Sequence, residues 1–284
     1  MTKKQFELRE KANKAKYMDV DTEACVDAIM ALCSRIEIVD GMQKLYRYRR
    51  LDKYELDGLE NETIFMRWPS TYEDCGDCTP VLDLKEITDF IVRKNYPQFN
   101  PDILKRRLIN YDEIKHNERF KKKIEDMRDT SLISCFTERC DNEKMWHQYA
   151  DKNKGICIIY DLLEILSFIK EHNTAMEFMP IWYVEDREAC AEIMLNHIDL
   201  LEDRYESLRK AQMTCMTKDK LKFSFEEEWR LIYYKKKTEM STGKGEVIPF
   251  IKPWCILCGK DLDRTGSEYR ELQRITQNKG IGLI

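Results

Sequence analysis

The chain has 284 residues, 43% of them hydrophobic and 35% charged, a soluble globular composition long enough for one large domain or two small ones. Its net charge of −4 gives no support to a general nucleic-acid role, and its longest apolar runs, such as Gly155-Ile-Cys-Ile-Ile-Tyr160, are too short to cross a bilayer. The polar, lysine-rich start has no apolar signal segment, and eleven cysteines without an export signal read as reduced thiols, so the expected compartment is the cytoplasm.

In chain order, residues 1–19 are charged and aperiodic and are expected as a mobile or weakly helical arm. Ala24, Ala28, Ala31, Leu32 and Ile36 recur at helical spacing, with Asp21 placed to cap. Short strands are expected at Lys44-Leu-Tyr-Arg-Tyr-Arg49 and Glu62-Thr-Ile-Phe-Met-Arg67, followed by a turn-rich stretch. Residues 85–129 carry charge-dense helical patterns broken between Asn95 and Pro101. Strand texture returns at 131–136 and 155–160, then a helix over 161–171 and a strand over 180–184. Residues 186–215 are expected as one long amphipathic helix. Strands at 228–234, 245–250 and 254–258 and a helix at 266–276 complete the chain. The order predicts an α+β fold: a mixed, mainly antiparallel sheet decorated by helices. Residues 1–43 form an N-terminal helical arm, and 44–284 a single domain with a helical insertion at about 85–130.

The stretch Lys222-Phe-Ser-Phe-Glu-Glu-Glu-Trp-Arg-Leu-Ile-Tyr-Tyr234 holds three adjacent carboxylates. Read as a strand, it turns Phe223, Phe225, Glu227, Trp229, Leu231 and Tyr233 to a mostly apolar face packed on the core, and Ser224, Glu226, Glu228, Arg230, Ile232 and Tyr234 to the other face. Two readings stand: a solvated face neutralised by Arg230, or a pair of acids displayed for chemistry. In residues 135–150, Met145, Trp146 and Tyr149 are spaced to pack. His147 lies on the other side of that helix, exposed or reaching a ligand.

The pairs Cys75-Gly-Asp-Cys78 and Cys255-Ile-Leu-Cys258 could together make a zinc site. They are far apart in sequence, and alternation turns Cys255 and Cys258 to opposite faces, so free thiols are the favoured reading and no metal ligand is assigned. No phosphate loop, nucleophile elbow or His-x-x-x-His pattern is present.

In combination these islands resemble an uncharacterised bacterial domain family found in or beside abortive-infection (AbiG-type) phage-defence loci. The resemblance runs through Leu45-Tyr-Arg-Tyr48, an acidic turn at Tyr72-Glu-Asp-Cys-Gly-Asp77, Cys135-Phe136, Met145 to Ala150, Gly155 to Ile158, Lys220, and Glu226 to Arg230. In the turn, Glu73 and Cys75-Gly76 depart from the family's Asn and Pro-Phe. A more distant likeness is to ADP-ribosyltransferases of the arginine–serine–glutamate type, whose order Arg47, Ser134 and Glu226/Glu228 can fill. This likeness implies NAD as substrate. Arg47 would hold its pyrophosphate, aided by Tyr46, Tyr48, His147 and Arg230, while Glu228 would stabilise an oxocarbenium-like ribose and Glu226 would activate the acceptor. The implied function is a phage-defence protein with an NAD-using site. The alternative is a non-catalytic, antitoxin-like module that binds a partner protein or a nucleotide in the same cleft.

Overall fold

The computed structural model describes residues 1–74, 76–98, 100, 118–172, 175–201, 205–238, 241 and 243–284. The sequence expectations for Cys75 and for the helical pattern across residues 101–117, including the Asn100–Pro101 step, lie outside the described residues.

Caps decide where the first helices begin. Thr2 and Gln5 form a capping box at the start of α1 (Lys3–Lys14), Asp21 accepts from the Ala24 N–H to start α2 (Thr22–Cys33), and Asp52 does the same for α3 (Lys53–Asn61). The arm expected over residues 1–19 is instead built into the molecule. Leu8 and Ala12 join the main core, and the buried Arg9 donates 2.7 Å to the Glu228 carbonyl and pairs with Glu138 at 2.5 Å. The apolar positions of a charged helix thus outweigh its composition, because burial stabilises by about 25 cal/mol per Å² of apolar surface.

Between and after these helices come β1 (Ile38–Val39), β2 (Met42–Arg49), β3 (Thr63–Arg67) and β4 (Val81–Leu82). Next are α4 (Leu84–Asn95), α5 (Glu118–Arg128), β5 (Ser131–Thr137), α6 (Glu143–Tyr149), β6 (Ile156–Asp161) and α7 (Leu162–His172). The chain then adds β7 (Met176–Pro180), β8 (Trp182–Val184), β9 (Met194–Leu195), α8 (His197–Leu201), α9 (Tyr205–Thr214), β10 (Thr217–Asp219) and α10 (Lys220–Phe223). It closes with β11 (Glu228–Tyr234), β12 (Gly245–Pro249), β13 (Cys255–Cys258), α11 (Ser267–Lys279) and β14 (Gly282–Leu283).

One ten-stranded sheet organises these elements in the order β12-β3-β5-β2-β6-β13-β14, with β1 on β2, and with β11 between β5 and β7. Every pairing in it is antiparallel except β13 with β14, so the fold is α+β on a mixed, mainly antiparallel sheet. Strand β5 pairs along its length with β11. On its other edge it meets β2 only at Tyr46↔Thr137 and β3 only at Arg67↔Ile133. The sheet therefore forks beside Cys135, the one exposed residue of β5.

Two expected elements are corrected. Residues 186–215 are not one helix: Asp186 accepts from the Glu188 N–H, and Asn196 and Asp199 exchange backbone-to-side-chain bonds of 3.0 and 2.9 Å that start α8 afresh. Short polar side chains here offer the backbone alternatives that helical periodicity does not reveal. The second correction lies in the triple-acid stretch. Asp219 accepts from the Lys222 N–H and nucleates α10, a 3-10 turn follows at Ser224–Glu226, and Glu227 takes a left-handed φ of 44° before the strand begins at Glu228. Phe223 and Phe225 are thus not on a strand face.

Candidate active site

The left-handed residue at Glu227 turns the chain so that Glu226 and Glu228 converge, although they do not share a strand. The loop between β10 and β11 brings them to Lys218, whose Nζ lies 2.7 Å from Glu226 Oε2 and 2.6 Å from Glu228 Oε2. Arg230, two residues along β11, donates from Nε to Glu228 Oε1 at 2.6 Å and from one terminal nitrogen to both Asp77 oxygens at 2.9 Å. Asp77 is also 3.5 Å from Lys218. Tyr149, at the end of α6, donates 2.5 Å to Glu226 Oε1.

The expectation of a solvated acidic face is overturned, since Glu226 and Glu228 are each 3% exposed and Arg230 is 0% exposed. Three acids against two cations in a buried site cannot all ionise freely. Burial pushes Glu226 up to about 7, against the pull of Lys218. Burial acts on Glu228 in the same direction, but Arg230 and Lys218 together overcome it and hold the carboxylate well below the usual range. Asp77 is likewise depressed, by Arg230 and Lys218 against burial. One acid is therefore poised near neutrality beside another that stays ionised, the pattern that separates an acid–base group from a fixed charge. The cluster is not sealed: Tyr149 is 42% exposed, and Cys135, opposite Arg230 on the same sheet face, opens to solvent.

Arginines fix the loop that carries Asp77. Arg128 donates to the carbonyls of Pro69 and Asp77, and Arg187 to those of Gly76, Thr79 and Thr214. Within the turn, Asp74 accepts from the Gly76 N–H at 2.8 Å.

The other expected site residues do not join this cluster. Directly opposed residues of an antiparallel pair share a face. Ser134 faces with Leu231 toward the main core, on the other side of the sheet from Glu228 and Arg230, and its buried hydroxyl has no hydrogen-bond partner among the described residues. Arg47 also lies on that core side, opposite Ile158, bound to Glu55 at 3.0 Å and to the Phe65 carbonyl at 3.3 Å. Arg47, Ser134 and Glu228 therefore do not converge. Tyr46 shares the face of Glu228 but is buried in a cluster with Tyr48, whose hydroxyl donates to the Arg139 carbonyl and whose ring packs edge-on at 5.1 Å against Trp146. His147 lines a separate open recess of about 310 Å³ with Glu143, Lys144, Gln148, Asn153 and Lys260, on the outer side of α6.

Sequence reasoning missed Lys218, Tyr149 and Cys135 as members of the site. The lysine of the motif pattern was expected at Lys220, but Lys220 pairs with Glu185, and Lys218 reaches the acids. Lys218 lies on β10, just before the cap at Asp219, and no local pattern separates it from Lys220. Of the cysteine pairs, Cys255 packs in the Tyr46 cluster and Cys258 against the main core, while Cys78 lies far off beside Cys215.

The model of DUF2971, a protein family of unknown function, matches residues 145–231. That segment begins in α6 and ends in β11, so it holds Tyr149, Lys218, Glu226, Glu228 and Arg230 but neither Asp77, Arg47 nor Ser134. No curated protein and no solved structure matches the chain. No described helix is long and apolar enough to cross a membrane.

Proposed function

We propose that the protein is an enzyme whose working group is the Glu226 carboxyl, a general acid–base beside the ionised Glu228. The observation that carries this reading is the divergence of the two carboxyls around one lysine, with Glu226 raised to about 7 and hydrogen-bonded to the half-exposed Tyr149. A group with that value exchanges protons at neutral pH, and a fixed carboxylate next to it stabilises positive charge developing on a carbon. Cleavage at the anomeric carbon of NAD ribose is chemistry of this kind, and a phage-defence setting is the context the motif resemblance suggests. The grip on NAD would differ from that of the arginine–serine–glutamate enzymes, because Arg47 is committed to Glu55 and Ser134 faces the core.

The test is nicotinamide release from NAD by the purified chain, followed by chromatography. Wild type should release it, and Glu226→Gln should do so about two orders of magnitude more slowly, as for loss of a positioned acid–base group. Equal release by both proteins, or none by wild type, would contradict the NAD reading. One observation favours a second reading: Lys218 fills the space between the two acids, so the cluster is internally paired. In that reading the site is a binding module, and NAD or a related nucleotide would raise the melting temperature without being consumed.

A further inference from the structure

Cys78 and Cys215 are 137 positions apart in the chain, yet each thiol points at the backbone of the other. Cys78 Sγ donates to the Cys215 carbonyl at 3.7 Å, and Cys215 Sγ to the Cys78 carbonyl at 3.5 Å. The guanidinium of Arg230 donates from one nitrogen to Cys78 Sγ at 2.8 Å and to the Cys215 carbonyl. Cys78 adopts a left-handed φ of 55° in a loop clamped by Arg128 and Arg187, so its sulfur is held in place from the backbone outward. Nothing in the acid–base reading uses these thiols.

We propose that Cys78 and Cys215 are a redox site, a dithiol that hydrogen peroxide converts reversibly to a disulfide beside Arg230. Two features suit the pair to this reaction. Each sulfur lies within 3.7 Å of the other residue's carbonyl oxygen and both side chains pack in one buried cluster, so the two cysteines are immediate neighbours. The guanidinium of Arg230, which donates to Cys78 Sγ at 2.8 Å, also places positive charge beside the pair and so favours ionisation of one thiol, after which one sulfur attacks and the other resolves. In the first step one thiol gives up its proton and its sulfur attacks one oxygen of hydrogen peroxide; the O–O bond breaks, and the departing hydroxide takes up a proton to leave as water, giving a sulfenic acid. The second sulfur then attacks the first and expels the hydroxyl group, which leaves with the second thiol's proton as another water. Two thiols and one hydrogen peroxide thus give one disulfide and two waters, with the sulfurs losing the two electrons that the peroxide gains. Both sulfurs are buried, near a turn in which Asp74 and Gly76 are exposed.

The chemistry of the pair does not depend on the acid–base reading of Glu226. The test treats the full chain with hydrogen peroxide, alkylates the remaining thiols after unfolding, digests without reductant, and examines the peptides by mass spectrometry. The expected result is loss of alkylation at Cys78 and Cys215 together, with their peptides joined and two hydrogen atoms lighter than their sum, and restoration of both by reduced glutathione. In Cys215→Ala and in Cys78→Ala the joined species should vanish. If both cysteines of the wild-type chain stay alkylatable at a peroxide dose that oxidises the exposed Cys135, the proposal is overturned. It is equally overturned if Cys78 pairs with another cysteine.

Discussion

Glu226 and Glu228 share the ammonium of Lys218, which lies 2.7 Å from one carboxylate and 2.6 Å from the other. The pairing is buried, so its members cannot turn to water when a partner is lost. Lys218→Met should therefore destabilise the protein by about 3–5 kcal/mol, measured by denaturant unfolding at pH 8, where ionised Glu226 loses its cation and Glu228 is left with Arg230 alone. An unchanged midpoint would mean that solvent already compensates the acids.

A solvent-facing Glu228 would tolerate Glu228→Gln with its stability intact. The buried geometry leads to the opposite expectation, since the substitution leaves Arg230 and Lys218 with less compensation. We expect a loss of about 3 kcal/mol in urea unfolding. A melting curve superimposable on wild type would return Glu228 to the surface.

The pH dependence of stability follows from the two directions of shift. Glu226 holds its proton more tightly when folded, at about 7 against 4.5. The stability it contributes is thus fully present below about pH 4.5 and lost as pH rises through 7. Glu228 works in the other direction, and its contribution is lost as pH falls below its ordinary value. Glu226→Gln should flatten the decline between pH 5 and 7 and raise stability at pH 8 relative to wild type, by an amount on the order of 3 kcal/mol at most. An identical pH profile for the two proteins would contradict the raised value.

Two tryptophans should respond unequally. Trp229 is fully buried, stacked on Phe178 at 5.2 Å, with its indole N–H donating to Glu138 at 2.7 Å. Trp229→Ala should cost about 3–5 kcal/mol. Trp146 is half-buried, held by Tyr48 and by a 2.8 Å bond to the Cys140 carbonyl, and its truncation should cost about half as much. Thermal unfolding of both variants checks the order, and a larger loss for Trp146→Ala would reverse the core assignment.

Much of the sheet was legible because strands such as β2, β5 and β6 carry runs of β-branched and aromatic residues with clear turns between them. The convergence of Glu226, Glu228 and Arg230 was legible too, though for a wrong reason. Strand alternation predicted it, whereas a cap at Asp219 and a left-handed Glu227 produce it. Asp77 and Lys218 were not legible as partners, since their approach depends on arginine clamps and on β10 pairing with β8, contacts that no local pattern encodes. The serine–arginine part of the expected triad failed on parity. Ser134 and Arg47 sit one residue out of phase with the face that carries the acids.

The central claim is that Glu226 exchanges its proton near neutral pH. Carboxyl carbon NMR of the glutamate-labelled chain, compared with Glu226→Gln, tests it without knowledge of any substrate. The account predicts one resonance titrating near pH 7 that disappears in the variant. A wild-type spectrum in which every glutamate titrates in the ordinary carboxylate range would contradict it.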